Sequence, residues 1–284
     1  MTLNINLSAQ KFPDWRHMDR QTLDDSYNNH KAVPASAAIF THWIERSKAF
    51  RATHSQYLDL SYGPHKHQKI DYYSAGLNSP VVIFIHGGFW QAYSKNDFAF
   101  LAESYLKEGI SIAIVDYPIA PEANMDQIVA SCKSAVEFIG QHISEWGGDS
   151  NNVVLSGWSA GGHLCIASMR GARVRAVVAI SGIFELEPLI SSFINQKLQM
   201  DLAIAKRNSP MLHLPKGNTP IHLFVGGNEL CEMRRQSYDF AARLQKSDYP
   251  VVFTEVSGKN HFEMLDQFAL QEGAVYNSIV SATR

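Results

Sequence analysis

Cysteine is scarce in this chain: Cys132, Cys165 and Cys231 are the whole complement of its 284 residues. An odd number with no CxxC spacing makes neither a disulfide framework nor a zinc-binding pattern. Neither charge sign dominates, since 25 Lys and Arg face 27 Asp and Glu, a formal net charge of −2. That balance lacks the basic face on which a nucleic acid or an anionic membrane would settle. Long hydrophobic runs are missing too: stretches such as 81–85 are strand-sized, far below the roughly 20 apolar residues of a membrane helix. The opening MTLNINLSAQKF has neither a basic n-region nor an apolar h-region, so no signal peptide is read there. With 45% hydrophobic and 18% charged residues, the chain can still bury a sizeable core. The expectation is a soluble, cytoplasmic protein whose partner is a small molecule rather than nucleic acid or membrane, with a homodimer left open.

What is present has a clear order. Residues 16–27 and 35–50 have helix-compatible sequence, an N-terminal helical extension over 1–54. Two loosely alternating segments, 57–62 and 69–73, end at Gly63-Pro64 and at 76–80 and read as paired antiparallel strands. Then come near-continuous apolar runs at 81–85, 110–115, 153–155, 174–180, 221–225 and 251–256, as expected of strands covered on both faces. Helical stretches at 96–107, 125–145, 160–170, 231–245 and 262–280 alternate with them. The pattern predicts one α/β domain over 1–284, a mostly parallel sheet with helices on both faces. Amphipathic sequence at 185–205 interrupts the alternation, so a helical lid insertion is expected at about 183–215.

Gly157-Trp158-Ser159-Ala160-Gly161 matches G-x-S-x-G. Chance alone would give roughly 0.1 such matches in a chain of this size, so context has to carry the motif. The context agrees, because a buried strand precedes it and a helix follows. A serine at that junction sits on a tight turn with its hydroxyl raised over the sheet edge. His86-Gly87-Gly88-Phe89-Trp90 follows the strand at 81–85. Side-chain-free residues there let backbone N–H groups approach a substrate oxygen, so Gly87, Gly88 and Phe89, with Ala160 after the serine, are the candidate oxyanion hole. His86 reads as a tether for that loop.

A serine hydroxyl needs a base, and the base needs an acid to fix its tautomer. The two later loops supply them in the order Ser, acid, His. Glu229 follows the strand at 221–225, and His261 follows the strand at 251–256. Glu232 is the rival acid, expected to be a solvated or capping carboxylate at the start of a helix. His163, one turn beyond Ser159, reads as a packed helix residue. His54, His65 and His67 lack partners at ligand spacing, so no metal and no cofactor is expected. Trp90, Trp158, Tyr117 and Phe262 adjoin the motifs and are candidates for an aromatic wall around substrate.

The HGGFW and GWSAGGHL segments resemble the HGGxW motif and nucleophile region of kynurenine formamidases (arylformamidases) of the α/β-hydrolase superfamily. Residues 116–122, DYPIAPE, are similar to the DYxLAPE segment of these enzymes and of hormone-sensitive-lipase-like esterases. The likeness runs from about Tyr57 to the C-terminus and includes Gly258-Lys259-Asn260-His261-Phe262. Phe89 stands where Tyr is frequent, and Glu229 where Asp is frequent. The resemblance implies an α/β-hydrolase fold and hydrolysis of N-formyl-L-kynurenine to L-kynurenine and formate, a step of tryptophan catabolism. A carboxylesterase for small aryl or short-acyl esters is the alternative. A non-catalytic ligand-binding α/β-hydrolase is a third, typically marked by a broken triad or oxyanion loop.

Overall fold

The computed structural model describes residues 10–284; most of the segment read above for a signal peptide therefore lies outside the described residues. Eight strands form one sheet: β1 (Tyr57–Ser61), β2 (Lys69–Tyr73), β3 (Ser79–Ile85), β4 (Ser111–Val115), β5 (Gly148–Trp158), β6 (Ala176–Ile180), β7 (Ile221–Gly226) and β8 (Val251–Val256). Their order across the sheet is β1-β2-β4-β3-β5-β6-β7-β8. The first two pairings are antiparallel, and the other five are parallel. Every residue of β4 and of β6 is buried, which is why these strands read as unbroken apolar runs. Alternate side chains divide between the two faces. Val81, Ile83 and Ile85 pack with helix Met125–His142, while Val82 and Phe84 face helices Ser36–Thr53 and Ala274–Ala282. Helices cover both faces of a mostly parallel sheet, the α/β-hydrolase architecture.

Three helical readings need revision. The stretch 262–280 is two helices, Glu263–Ala269 and Ala274–Ala282, separated by a turn that ends at Gly273. Of 96–107, only Ala102–Lys107 is α-helical, and two 3₁₀ turns precede it. The amphipathic 185–205 is broken into a 3₁₀ turn (Glu187–Ser191) and helices Asn195–Leu198 and Leu202–Arg207. Pro188 lies in the first turn of the 3₁₀ piece, and Gln199 ends the next piece in a left-handed conformation at φ 50°. Leu186, Leu189, Ile194 and Leu198 of this insertion are buried in the main core.

The N-terminal segment wraps over the carboxyl ends of the parallel strands. Its helices are Arg20–Asp25, Asn29–Ala32 and Ser36–Thr53. The Phe193 N–H donates to Asp24 at 2.6 Å, and the Tyr27 hydroxyl donates to Glu232 at 2.9 Å. Phe40 and Trp43 of the long helix pack on Trp158 and Phe262. Among the described residues, no helix is long and apolar enough to cross a membrane.

Candidate active site

Ser159 lies between β5 and helix Ala160–Ser168 at φ 59°, ψ −121°. A non-glycine residue seldom adopts this region, and such strain persists only where the surroundings enforce it. Here they do. A Cβ on Gly157 would overlap the Gly161 carbonyl, and one on Gly161 would overlap the Ile85 carbonyl. Only side-chain-free residues let the helix start this close to β3 and β5. The Ser159 N–H donates to the Ile180 carbonyl at 2.8 Å, and its carbonyl accepts from Gly162 and His163.

Glu229 follows β7 and His261 follows β8, so neighbouring strand ends bring them together. His261 Nδ1 lies 2.6 Å from Glu229 Oε2. The other carboxylate oxygen accepts from the Ser181 hydroxyl at 2.5 Å and the Gly226 N–H at 2.8 Å. Three donors therefore hold the longer side chain of a glutamate in place. A carboxylate on Nδ1 makes that nitrogen the donor and leaves Nε2 as the proton acceptor. The Trp158 indole donates to the His261 carbonyl at 3.0 Å, and the two rings lie 4.9 Å apart. The residue before the serine thus positions the imidazole. Ser159, Glu229 and His261 are all buried. Among the described residues, no hydrogen bond joins the Ser159 hydroxyl to the His261 ring; in free enzymes such contacts are often long and tighten with substrate.

Glu232, the rival acid, is neither beside His261 nor solvated. It has no exposed surface and pairs in fork geometry with Arg235 at 2.7 and 2.8 Å. Tyr27 donates to the same carboxylate. A buried carboxylate needs such a partner because desolvation is otherwise costly. Glu232 anchors the N-terminal segment.

The loop after β3 turns through positive φ at Gly88 (110°), Phe89 (49°) and Trp90 (59°). Gly87 backs directly onto Trp158 and Ser159, where a Cβ would sit 3.0 Å from the serine Cβ. Among the described residues, the N–H groups of Gly88, Phe89 and Ala160 have no protein acceptor. Free donors around a strained serine are what a developing oxyanion needs. The loop is fixed from several sides. The His86 ring donates from Nδ1 to the Gly87 carbonyl at 2.8 Å and is stacked between Phe98 and Tyr117. Gln91 donates to the Ile194 carbonyl of the insertion at 2.6 Å. Downstream, buried Lys95 pairs with Asp71 at 2.8 Å and with Asp59 at 2.6 Å, and Arg51 also contacts Asp71.

All four aromatics expected to form a wall around substrate are buried. Trp90 and Tyr117 have no exposed surface, so in this conformation they belong to the core beneath the site. The Trp90 indole donates to His163 Nδ1 at 3.2 Å, and the Tyr117 hydroxyl donates to the His86 carbonyl at 2.9 Å. Trp158 and Phe262 are also buried and pack on the His261 ring. These four pack against the residues around Ser159, His261 and the loop at 86–90. His163 Nε2 donates to the Asn208 carbonyl at 2.8 Å, and burial lowers its pKa to about 4.

Two contributors escaped the sequence reading. Ser181, at the end of β6, steadies Glu229. The N-terminal segment borders the site: Asn29, Ala32, Val33 and Pro34 line a cavity of about 350 Å³ together with Asn228, Glu229, Leu230, Asn260 and His261. His30 packs 5.3 Å from Phe262, and its Nε2 lies 3.2 Å from the Tyr93 hydroxyl. Nothing in the spacing of residues 28–34 marks this role.

Residues 72–175 match the BD-FAE family. The kynurenine formamidase of Salmo salar is 30% identical, covering 89% of this chain and 87% of its own. That of Danio rerio is 29% identical over 89% of this chain and 93% of its own. Among solved structures, a thioesterase candidate from Silicibacter sp. superimposes with a TM-score of 0.83 at 28% identity, covering 91% of this chain and 98% of the other. An esterase of Pyrobaculum calidifontis shares the fold with a TM-score of 0.69 at 19% identity, over 93% and 96% of the two chains. Together with the strained serine between β5 and its helix and the Glu229–His261 pair, these likenesses make the chain a serine hydrolase of the α/β-hydrolase fold, and it belongs to the kynurenine formamidase family.

Proposed function

We propose that this enzyme hydrolyses an aryl formamide, N-formyl-L-kynurenine, to L-kynurenine and formate, with Ser159 as nucleophile, His261 as base and acid, and Glu229 as its orienting carboxylate. The observation that carries the assignment is the 2.6 Å Glu229–His261 bond beside a serine faced by unspent backbone donors. His261 Nε2 takes the Ser159 proton as the oxygen attacks the formyl carbon. The N–H groups of Gly88, Phe89 and Ala160, with Gly87 shaping the loop, hold the resulting oxyanion. The same proton then passes from His261 to the departing aryl nitrogen, leaving a formyl ester on Ser159. Water, deprotonated by His261, attacks that ester, and formate leaves as Ser159 regains its proton. An aryl amine is the easier leaving group because the ring shares the nitrogen lone pair. The formyl group asks for almost no acyl pocket, consistent with the tight packing around Ser159.

The test is stoichiometric release of kynurenine and formate by the purified enzyme, and its loss in Ser159→Ala. That variant should lose several orders of magnitude in kcat, as removal of a triad nucleophile does, with an unchanged circular-dichroism spectrum. Efficient cleavage of aryl acetates with no formamide turnover would instead favour the carboxylesterase reading, which the likeness to an Arabidopsis thaliana isoprenylcysteine methylesterase keeps in view (27% identity over 78% of this chain). A cytoplasmic setting and a homodimer belong to the same proposal. The three free cysteines support the first, and light scattering would test the second.

A further inference from the structure

A second cavity, of about 470 Å³, opens between the end of helix Ala160–Ser168 and the segment 207–216. Its lining includes neither Ser159, Glu229 nor His261, and no residue of the loop at 86–90, so the hydrolysis does not use it. Its volume is that of a small-molecule site, where apolar surface is combined with a few polar groups of fixed position.

The lining has a definite chemistry. Val129, Ile166 and Leu214 supply apolar surface, Arg170, Arg207 and Lys216 supply three cations, and no carboxylate is among the lining residues. Arg207 is held from outside the cavity: its Nε and Nη2 donate to Asp126 at 2.8 and 2.6 Å. That fork fixes the guanidinium and leaves Nη1 without an acceptor among the described residues. Arg170 and Lys216 have no ion pair among the described residues. A hollow with low-dielectric walls and one sign of charge concentrates ions of the opposite sign.

The wall between these groups is built before any ligand arrives. Asn208 is 8% exposed; its Nδ2 donates to Asp126 at 2.7 Å and to the Ile204 carbonyl at 2.9 Å, and its own carbonyl accepts from His163 at 2.8 Å. The Ser209 hydroxyl donates to the Ala205 carbonyl at 2.7 Å and accepts from the Leu186 N–H at 2.8 Å. Binding there requires little ordering of the protein, and with these donors engaged, recognition of a polar head falls to the three cations.

We propose that this cavity is a binding site for a small organic anion, an acid with one carboxylate on a hydrocarbon body. The carboxylate lies against Arg170, Lys216 and the free edge of Arg207, and the body against Val129, Ile166 and Leu214. The site shares no residue with the catalytic centre and is independent of the formamidase reading.

The experiment is isothermal titration calorimetry of the full chain with three probes: 4-phenylbutyrate, its neutral amide 4-phenylbutyramide, and acetate. The amide keeps the body without the charge, and acetate keeps the charge without the body. Each should bind at least about tenfold more weakly than 4-phenylbutyrate, which saturates one site. Arg170→Gln with Lys216→Gln should weaken 4-phenylbutyrate about tenfold and leave the amide unchanged. Leu214→Asp should weaken it similarly, by placing a like charge beside the ligand; circular dichroism verifies that the variants fold. In the unaltered protein, added salt should weaken the acid and spare the amide. No binding of 4-phenylbutyrate overturns the proposal, as does equal affinity for acid and amide. A Kd that neither folded variant changes also overturns it, because the acid then binds elsewhere.

Discussion

Acid should unfold this protein in part through one histidine behind the oxyanion loop. His163 accepts the Trp90 indole N–H on Nδ1 and donates from Nε2 to Asn208, so the Trp90 contact requires the neutral ring. Burial lowers its pKa from 6.5 to about 4. The unfolded chain therefore binds a proton below pH 6.5 that the folded chain refuses until near pH 4. Stability is full above pH 6.5 and is lost as the pH falls through that window. The whole shift corresponds to about 3 kcal/mol, of which about 2 kcal/mol is lost by pH 5. A chain of 284 residues has an unfolding entropy on the order of 0.6 kcal/mol per kelvin, so 2 kcal/mol corresponds to about 3 °C in Tm. His163→Gln keeps an acceptor for Trp90 and a donor for Asn208 but cannot titrate. Differential scanning calorimetry from pH 7 to pH 5 should show the wild-type Tm falling about 3 °C further than that of the variant. Parallel curves would refute the reasoning, since the acid sensitivity would then arise elsewhere.

The two carboxylates on either side of Leu230-Cys231 should separate by assay. Glu229→Gln should lower kcat strongly with little change in Tm, because an amide favours the wrong imidazole tautomer. Glu232→Gln should lower Tm by several degrees, because Arg235 loses its buried partner; a large kcat loss confined to Glu232→Gln would reverse the assignment. Gly161→Ala should give little folded protein, since its Cβ overlaps the Ile85 carbonyl; a well-folded, active variant would contradict the close approach of β3 and the serine turn.

The strand-to-helix turn at Ser159, the loop at 86–90 and the two loops after β7 and β8 were legible because each depends on local sequence. Glycines beside a serine, or an acid just past an apolar run, mark a conformation within a few residues. Long-range packing left no such mark. Tyr27 meets Glu232 across 205 positions, so neither the burial of Glu232 nor the course of the N-terminal segment could be read from spacing. The aromatic residues misled for a related reason. Trp90 lies in the loop at 86–90 and Tyr117 in the DYPIAPE segment, yet their rings point into the core and serve as hydrogen-bond donors to His163 and His86. Sequence proximity to a motif does not give the direction of a side chain.

The account is tested most directly by the ratio of kcat/KM for N-formyl-kynurenine to that for its N-acetyl analogue. The leaving group is the same in both, so the ratio isolates the acyl side, where Gly87 backs onto Ser159 and one added methyl must fit beside the oxyanion donors. A misfit of about 1–3 kcal/mol predicts a preference of roughly 10–200-fold for the formyl compound. A ratio near one, or ester cleavage without any formamide cleavage, would contradict the assignment of this site to aryl formamides.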